Sequence, residues 1–163
     1  MCSTVRIRQD AVKPPERSAA GEAFNDVLEQ VLRLHGSFTT AGEALAKPAG
    51  QSLARWVVLD QCRGAPATVS EIARRLRLAR QSVQRIADVL VQDGLCVYRA
   101  NPHHQRAKLL ELTKTGRSKL YNIDIAQRKW CDALGKTIGE GTLRRTATAL
   151  RRVIDAMEST ESS

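Results

Sequence analysis

Residues 68–116 read TVSEIARRLRLARQSVQRIADVLVQDGLCVYRANPHHQRAKLLELTKTG, and the order of elements in this stretch decides the fold. Thr68 and Glu71 stand at the T-x-x-E spacing of a capping box, so a helix starts there, with Val69, Ile72, Ala73 and Leu76 on one apolar face. Only Arg77-Leu78-Ala79 separates it from a second helical pattern. That pattern runs from Arg80 to Gln92 and turns Val83, Ile86, Ala87, Val89 and Leu90 inward; Asp93-Gly94 then ends it with a residue suited to the left-handed cap. So short a link makes the pair a helix-turn-helix corner. Residues 95–99 and 109–113 alternate as two strands, and the long polar connection 100–108, carrying Pro102, projects between them as a wing. Thr113 can cap the next helix.

Working outward, residues 1–20 carry Pro14-Pro15 and charges without an apolar period, and are expected to form a flexible tail or extended arm. From Glu22 a helical stripe appears at Phe24, Val27, Leu28, Val31, Leu32, His35 and Phe38, broken by Lys47-Pro48-Ala49-Gly50. A short helix with Leu53, Trp56, Val57 and Leu59 follows, closed by Arg63-Gly64-Ala65-Pro66. Beyond Thr113 comes a long stripe of Leu120, Ile123, Gln127, Trp130, Leu134 and Ile138 at nearly heptad spacing. Gly139-Glu140-Gly141 interrupts it, and a last helix uses Leu143, Ala147, Leu150, Ile154 and Met157. The expected class is mostly α with a small β-hairpin wing.

Composition narrows the function. At 163 residues and 42% hydrophobic content the chain can bury one real core. The formal net charge is +9, and it is unevenly placed: residues 63–108 hold nine Lys or Arg against three Asp or Glu, whereas residues 1–62 are neutral. Two thirds of the excess lies in under a third of the chain, which points that segment at an anionic partner. No apolar run reaches membrane-span length and the N-terminus lacks a signal-peptide core, so a cytoplasmic protein is expected. Cys2, Cys62, Cys96 and Cys131 show no C-x-x-C pair, and reduced thiols are expected. Cys62, Cys96 and Cys131 fall on or beside apolar faces, where inert thiols are common. No nucleophile–base pair, phosphate-cradling glycine loop or carboxylate pair stands at useful spacing, so no enzyme activity and no cofactor are expected.

These residues resemble the MarR family of bacterial transcriptional regulators. The matching marks are the helix-turn-helix over 68–94, Asp93-Gly94-Leu95, and the wing N-P-H-H-Q-R-A-K-L-L-E-L-T-K-T-G. The family wing reads D-P-x-D-x-R and then L-T-x-x-G; Pro102, Arg106, Leu112, Thr113 and Gly116 agree, while Asn101 and His104 replace the two aspartates. The resemblance implies a winged helix-turn-helix with N- and C-terminal dimerisation helices, in a homodimer that binds double-stranded DNA. The implied organisation is a tail at 1–20, a dimerisation helix in 21–50, a DNA-binding lobe in 51–116, dimerisation helices in 117–158 and a tail at 159–163. A twofold dimer would set its recognition helices about 34–36 Å apart on a palindromic site. Relief of repression by a ligand that alters this spacing is the expected mechanism; a sequence-tolerant architectural DNA-binding protein is the alternative.

The recognition helix presents Arg80, Gln81, Ser82, Gln84 and Arg85 on its outer face. Arg binds the guanine edge, Gln pairs with adenine and Ser reaches a phosphate or base, so these types on the first turn and a half suit major-groove reading. Arg106 matches the wing arginine that the resemblance places in the minor groove, where a long cation suits a narrow A·T-rich groove. His104 stands where the family's aspartate would orient that arginine. Arg74, Arg75 and Arg77, with Arg99 and Lys108 beside the wing, suit backbone contacts, and Thr68 and Ser70 suit a phosphate at a helix N-terminus. His103 and His104 invite metal binding with Cys96, or pH sensing, but no third ligand has useful spacing, so no metal is expected. The resemblance also implies a small aromatic or phenolic effector, for which His35, Arg55, Trp56 and Trp130 are the candidate lining.

Overall fold

A computed structural model describes residues 16–102, 104 and 106–161. The expected tail therefore lies mostly outside the described residues, as does His103. Among the described residues, six helices and three short strands follow in the order α1 (Ala19–Ala46), α2 (Leu53–Gln61), β1 (Ala67–Thr68), α3 (Val69–Leu76), α4 (Arg80–Gln92), β2 (Cys96–Arg99), β3 (Leu109–Leu112), α5 (Lys114–Ile138) and α6 (Glu140–Glu161). A 3-10 turn at Lys47–Ala49 separates α1 from α2. The chain divides into two compact units, one up to Thr39 and one from Thr40 onward.

In the first unit α1 starts at Ala19, two residues inside the stretch read as a tail. The Ser18 hydroxyl accepts a hydrogen bond from the Gly21 N–H at 3.1 Å, a capping role that apolar periodicity does not reveal. Of its apolar stripe, Val27 is half-buried and Phe24, Leu28, Val31, Leu32 and Phe38 are exposed, from Leu28 at 38% to Leu32 at 71%.

The second unit holds the core, in which Val58 and Leu59 of α2, Ile72 of α3, Val83, Ala87 and Leu90 of α4, Leu110 of β3 and Leu120 and Ile123 of α5 are buried. The sheet is antiparallel in the order β1-β3-β2, with Cys96 opposite Leu112, Arg99 opposite Leu109 and Ala67 opposite Leu110. The hairpin was legible from its alternation, but β1 was not, because two residues after Pro66 carry no period. Val89, expected to face inward, is 40% exposed: with Val83, Ala87 and Leu90 lining one side of α4, it falls outside the buried stripe.

Local chemistry sets the corners. The capping box is complete: the Thr68 hydroxyl accepts from the Glu71 N–H at 3.2 Å, and the Glu71 carboxylate accepts from the Thr68 N–H at 2.8 Å. The Thr68 N–H, followed by its hydroxyl, holds the Glu71 carboxyl below the ordinary range. α3 ends in a left-handed residue, Arg77 at φ 52°, with the Leu78 N–H bonded to the Ala73 carbonyl at 3.0 Å. α4 ends the same way, with Gly94 at φ 70° and the Leu95 N–H bonded to the Leu90 carbonyl at 2.9 Å.

The L-T-x-x-G stretch has a plain structural cause. The Thr113 hydroxyl donates to the Gly94 carbonyl at 2.7 Å and accepts from the Gly116 N–H at 3.1 Å, which starts α5 against the end of α4. A Cβ at residue 116 would lie 2.1 Å from the Leu95 carbonyl oxygen, so only glycine fits this close approach.

Candidate nucleic-acid interface

The α3–α4 corner and the wing enclose one cleft of about 260 Å³. Thr68, Val69 and Ser70 supply it from the start of α3, Arg80 and Gln84 from α4, Tyr98 from β2, and Arg106, Ala107 and Lys108 from the wing. The fold thus brings together Thr68, Ser70, Arg80, Gln84, Arg106 and Lys108, which are up to 40 positions apart in the chain. Gln81, Ser82 and Arg85 are exposed beside them on α4.

The cations divide into two sets. Some are committed within the protein: Arg63 binds Asp124 through two bonds of 2.7 and 2.8 Å and also Asp60, Arg77 pairs with Glu158 of α6, and Arg99 pairs with Glu111 at 3.2 Å. Arg80, Arg85, Arg106 and Lys108 have no ion pair or side-chain hydrogen bond among the described residues. Uncompensated cations on one face leave a positive field there. The first turn of α4 adds to it: Ala79 gives no side-chain cap and the turn contains no acid to offset the positive end of the helix dipole.

Two expected contacts look different in three dimensions. The Thr68 hydroxyl donates to Glu71 at 2.9 Å, so capping occupies it, whereas the Ser70 side chain opens on the cleft. The Gln84 amide nitrogen donates to Asp88 and to the Tyr98 hydroxyl, both at 2.8 Å, and that hydroxyl donates to Asp88 at 2.8 Å. Burial, and then Asp88, push the Tyr98 phenol up to about 12, so it stays a donor. Sequence reasoning did not single out Tyr98 or Asp88. The available signal was the i, i+4 spacing of Gln84 and Asp88 on one helix face.

Comparison with known proteins places the chain. Residues 50–107 match the family model described as MarR family. A protein of Mycobacterium tuberculosis, itself uncharacterised, is 36% identical over 132 residues, which is 81% of this chain and 92% of its own length. The chain belongs to the MarR family of transcription regulators. This MarR-family chain also shares its fold with solved structures. Staphylococcus aureus MarR, in complex with salicylate and kanamycin, has a TM-score of 0.75 at 15% identity, over 85% of this chain and 94% of the other. The transcriptional repressor CouR, bound to a 23-mer DNA duplex, has a TM-score of 0.73 at 22% identity, over 85% and 99%. The winged-helix fold of the family is a DNA-binding one.

The remaining candidates are not among the residues that line the cleft. His104 is exposed on the wing, where its N–H bonds to the Asn101 carbonyl at 3.2 Å and its own carbonyl accepts from Ala107. No described group of three His, Cys, Asp or Glu side chains could hold a metal. Arg55 is ion-paired with Asp93 at the end of α4, and Trp56 is packed in the core. Trp56 also borders a cavity of about 240 Å³ with Leu53, Val57, Asp60, Gln61 and Gln127; Trp130 is half-buried on α5, one turn beyond Gln127. His35 is exposed on α1 in the first unit.

Cys62 and Cys96 are buried, and burial pushes their thiols up to about 12 and about 11, so both are protonated and unreactive at neutral pH. Cys131 differs: it is exposed on α5 rather than buried on an apolar face, because the stripe beside it is itself uncovered. No described helix is long and apolar enough to cross a membrane.

Proposed function

We propose that this chain is a homodimeric, sequence-specific repressor that binds a palindromic duplex and releases it when a small aromatic or phenolic effector binds. The cleft carries the reading: Arg80, Arg106 and Lys108 line it, and these three, with Arg85 exposed further along α4, have no ion pair or side-chain hydrogen bond among the described residues. α4 enters the major groove with Arg80, Gln81, Ser82 and Arg85 on base edges and phosphates, and Arg106 enters the adjacent minor groove. Ser70 and Lys108 hold the backbone. Arg99, shared with Glu111, adds a weaker backbone contact, and His104 sits on the wing beside Arg106 without the charge to orient it.

The exposed stripes of α1 and α6 supply the dimer surface. Twofold symmetry then sets two recognition helices about one DNA turn apart. Solved structures of similar fold support the effector: S. aureus MarR was solved with salicylate, and Rhodococcus jostii CouR with p-coumaroyl-CoA. In this chain the cavity beside Trp56 sits at the joint between α2 and α5, and the Arg55–Asp93 pair ties α2 to the end of the recognition helix. A ligand there would bear on the setting of α4.

Selection of bound duplexes from a random pool tests the reading directly. A twofold-symmetric consensus is expected, with Arg85→Ala or Gln81→Ala losing about 1–3 kcal/mol of discrimination at particular base pairs. Arg106→Ala should weaken binding most on A·T-rich flanks. A steep salt dependence with no preference between selected and random duplex would instead establish the sequence-tolerant alternative.

A further inference from the structure

Gln84 faces the cleft with its amide already engaged, and this changes what it offers to a base. A primary amide has two N–H donors on nitrogen and an acceptor oxygen. Here the nitrogen lies 2.8 Å from both the Asp88 carboxylate and the Tyr98 hydroxyl. The orientation of the amide follows from chemistry. An ionised carboxylate only accepts, so the Gln84 atom beside Asp88 must be the nitrogen. The Tyr98 hydroxyl donates its own proton to the same carboxylate oxygen, at 2.8 Å, and therefore accepts from Gln84. The Gln84 carbonyl oxygen has no partner among the described residues, and the side chain lines the cleft between Arg80 and the wing.

We infer that Tyr98 and Asp88 are positioning residues that lock Gln84 as a hydrogen-bond acceptor, so that α4 selects at this point for an exocyclic amino group on a base. This rests on the reading that the outer face of α4 meets base edges. A free glutamine pairs with adenine through both its oxygen and its nitrogen. A glutamine whose nitrogen is engaged accepts from adenine N6 or cytosine N4, and opposes the acceptor-only edges of guanine and thymine. Tyr98 sits on β2, outside the recognition helix, so sequence preference at this position depends on how the sheet packs against α4.

The test uses the full-length protein and a duplex chosen by selection from a random pool with the unaltered chain. All four base pairs are then placed at each position in turn, and binding is titrated for the unaltered protein, Gln84→Ala, Tyr98→Phe and Asp88→Ala. The unaltered protein should favour adenine or cytosine over guanine or thymine on one strand at one position by about tenfold, and Gln84→Ala should flatten that position alone. Tyr98→Phe keeps the ring but frees an amide proton. It should raise binding to guanine and thymine there several-fold while leaving every other position unchanged. Asp88→Ala, at an exposed site, should do the same, and it keeps the test informative if the tyrosine variant folds poorly.

A Gln84 position whose preference is untouched by both variants would overturn the inference, as would equal weakening at every position. No base preference anywhere in the unaltered protein would overturn the base-reading proposal itself, and that result is visible before any variant is made.

Discussion

Each of α3 and α4 buries three or more side chains in eight and thirteen residues, whereas none of residues 140–160 of α6 is buried. Both kinds of helix are amphipathic. The difference lies in what covers the apolar side. In the helix-turn-helix lobe, Ile72, Val83, Leu90 and Leu110 meet one another within the chain. In the arms, Phe24, Phe38, Leu143, Ile154 and Met157 are all 38% or more exposed. Exposed apolar area on this scale marks an interaction surface, and it separates a lobe that covers its own apolar faces from helices whose apolar sides are completed by a second copy in the proposed dimer.

Gly116→Ala should break the lobe most severely. The added methyl group meets a backbone oxygen that cannot rotate away, so a loss of about 3 kcal/mol or more is expected, read as a lowered urea midpoint. The arms should tolerate a polar change without unfolding and respond in assembly instead. Phe24→Asp combined with Ile154→Asp should raise the dimer dissociation constant at least about 100-fold, measured by sedimentation, because each apolar side chain buried on association contributes about 1.5–3 kcal/mol. An unchanged mass would remove the distinction drawn between lobe and arms.

Thr68→Ala should cost about 1 kcal/mol through the lost cap. The pH dependence of that difference has a definite sign. The folded Glu71 carboxyl titrates below its unfolded value of about 4.3, so its contribution is complete above that value and disappears as pH falls through the lower folded one. The stability gap between Thr68→Ala and the unaltered protein should therefore narrow in acid; a gap that widens would contradict the capping-box account. The smallest effect is expected where lobe and arm touch. Arg77 and Glu158 are both largely exposed, so Arg77→Ala should change stability by under about 1 kcal/mol, and less at high salt.

Much of the lobe was legible because its signals are local. The Thr68–Glu71 box, the Gly94 cap, the apolar spacing of α3 and α4 and the alternation of the hairpin all act within a few residues. The bounds of α4 at Arg80 and Gln92 were legible on those grounds alone. The left-handed Arg77 was not foreseen, since the residue type that normally marks such a corner is absent. The strand β1 was missed for a related reason: its two residues are extended only because Leu109 and Leu110 lie alongside.

By itself, the sequence determined the class of this protein, the order of its elements, the family and the place of its basic segment, since composition, periodicity and turn chemistry are short-range properties of the chain. Only the tertiary structure decided which charges are spent and which are free. Arg55, Arg63, Arg77 and Arg99 find carboxylates between 12 and 81 positions away, while Arg80, Arg85, Arg106 and Lys108 find none among the described residues. It likewise decided that Tyr98, fourteen positions along the chain, turns the Gln84 amide towards Asp88. Hydrogen bonds and ion pairs act over about 3–4 Å of space regardless of sequence distance, so the chemistry offered by a side chain at the interface depends on which neighbours the fold brings to it.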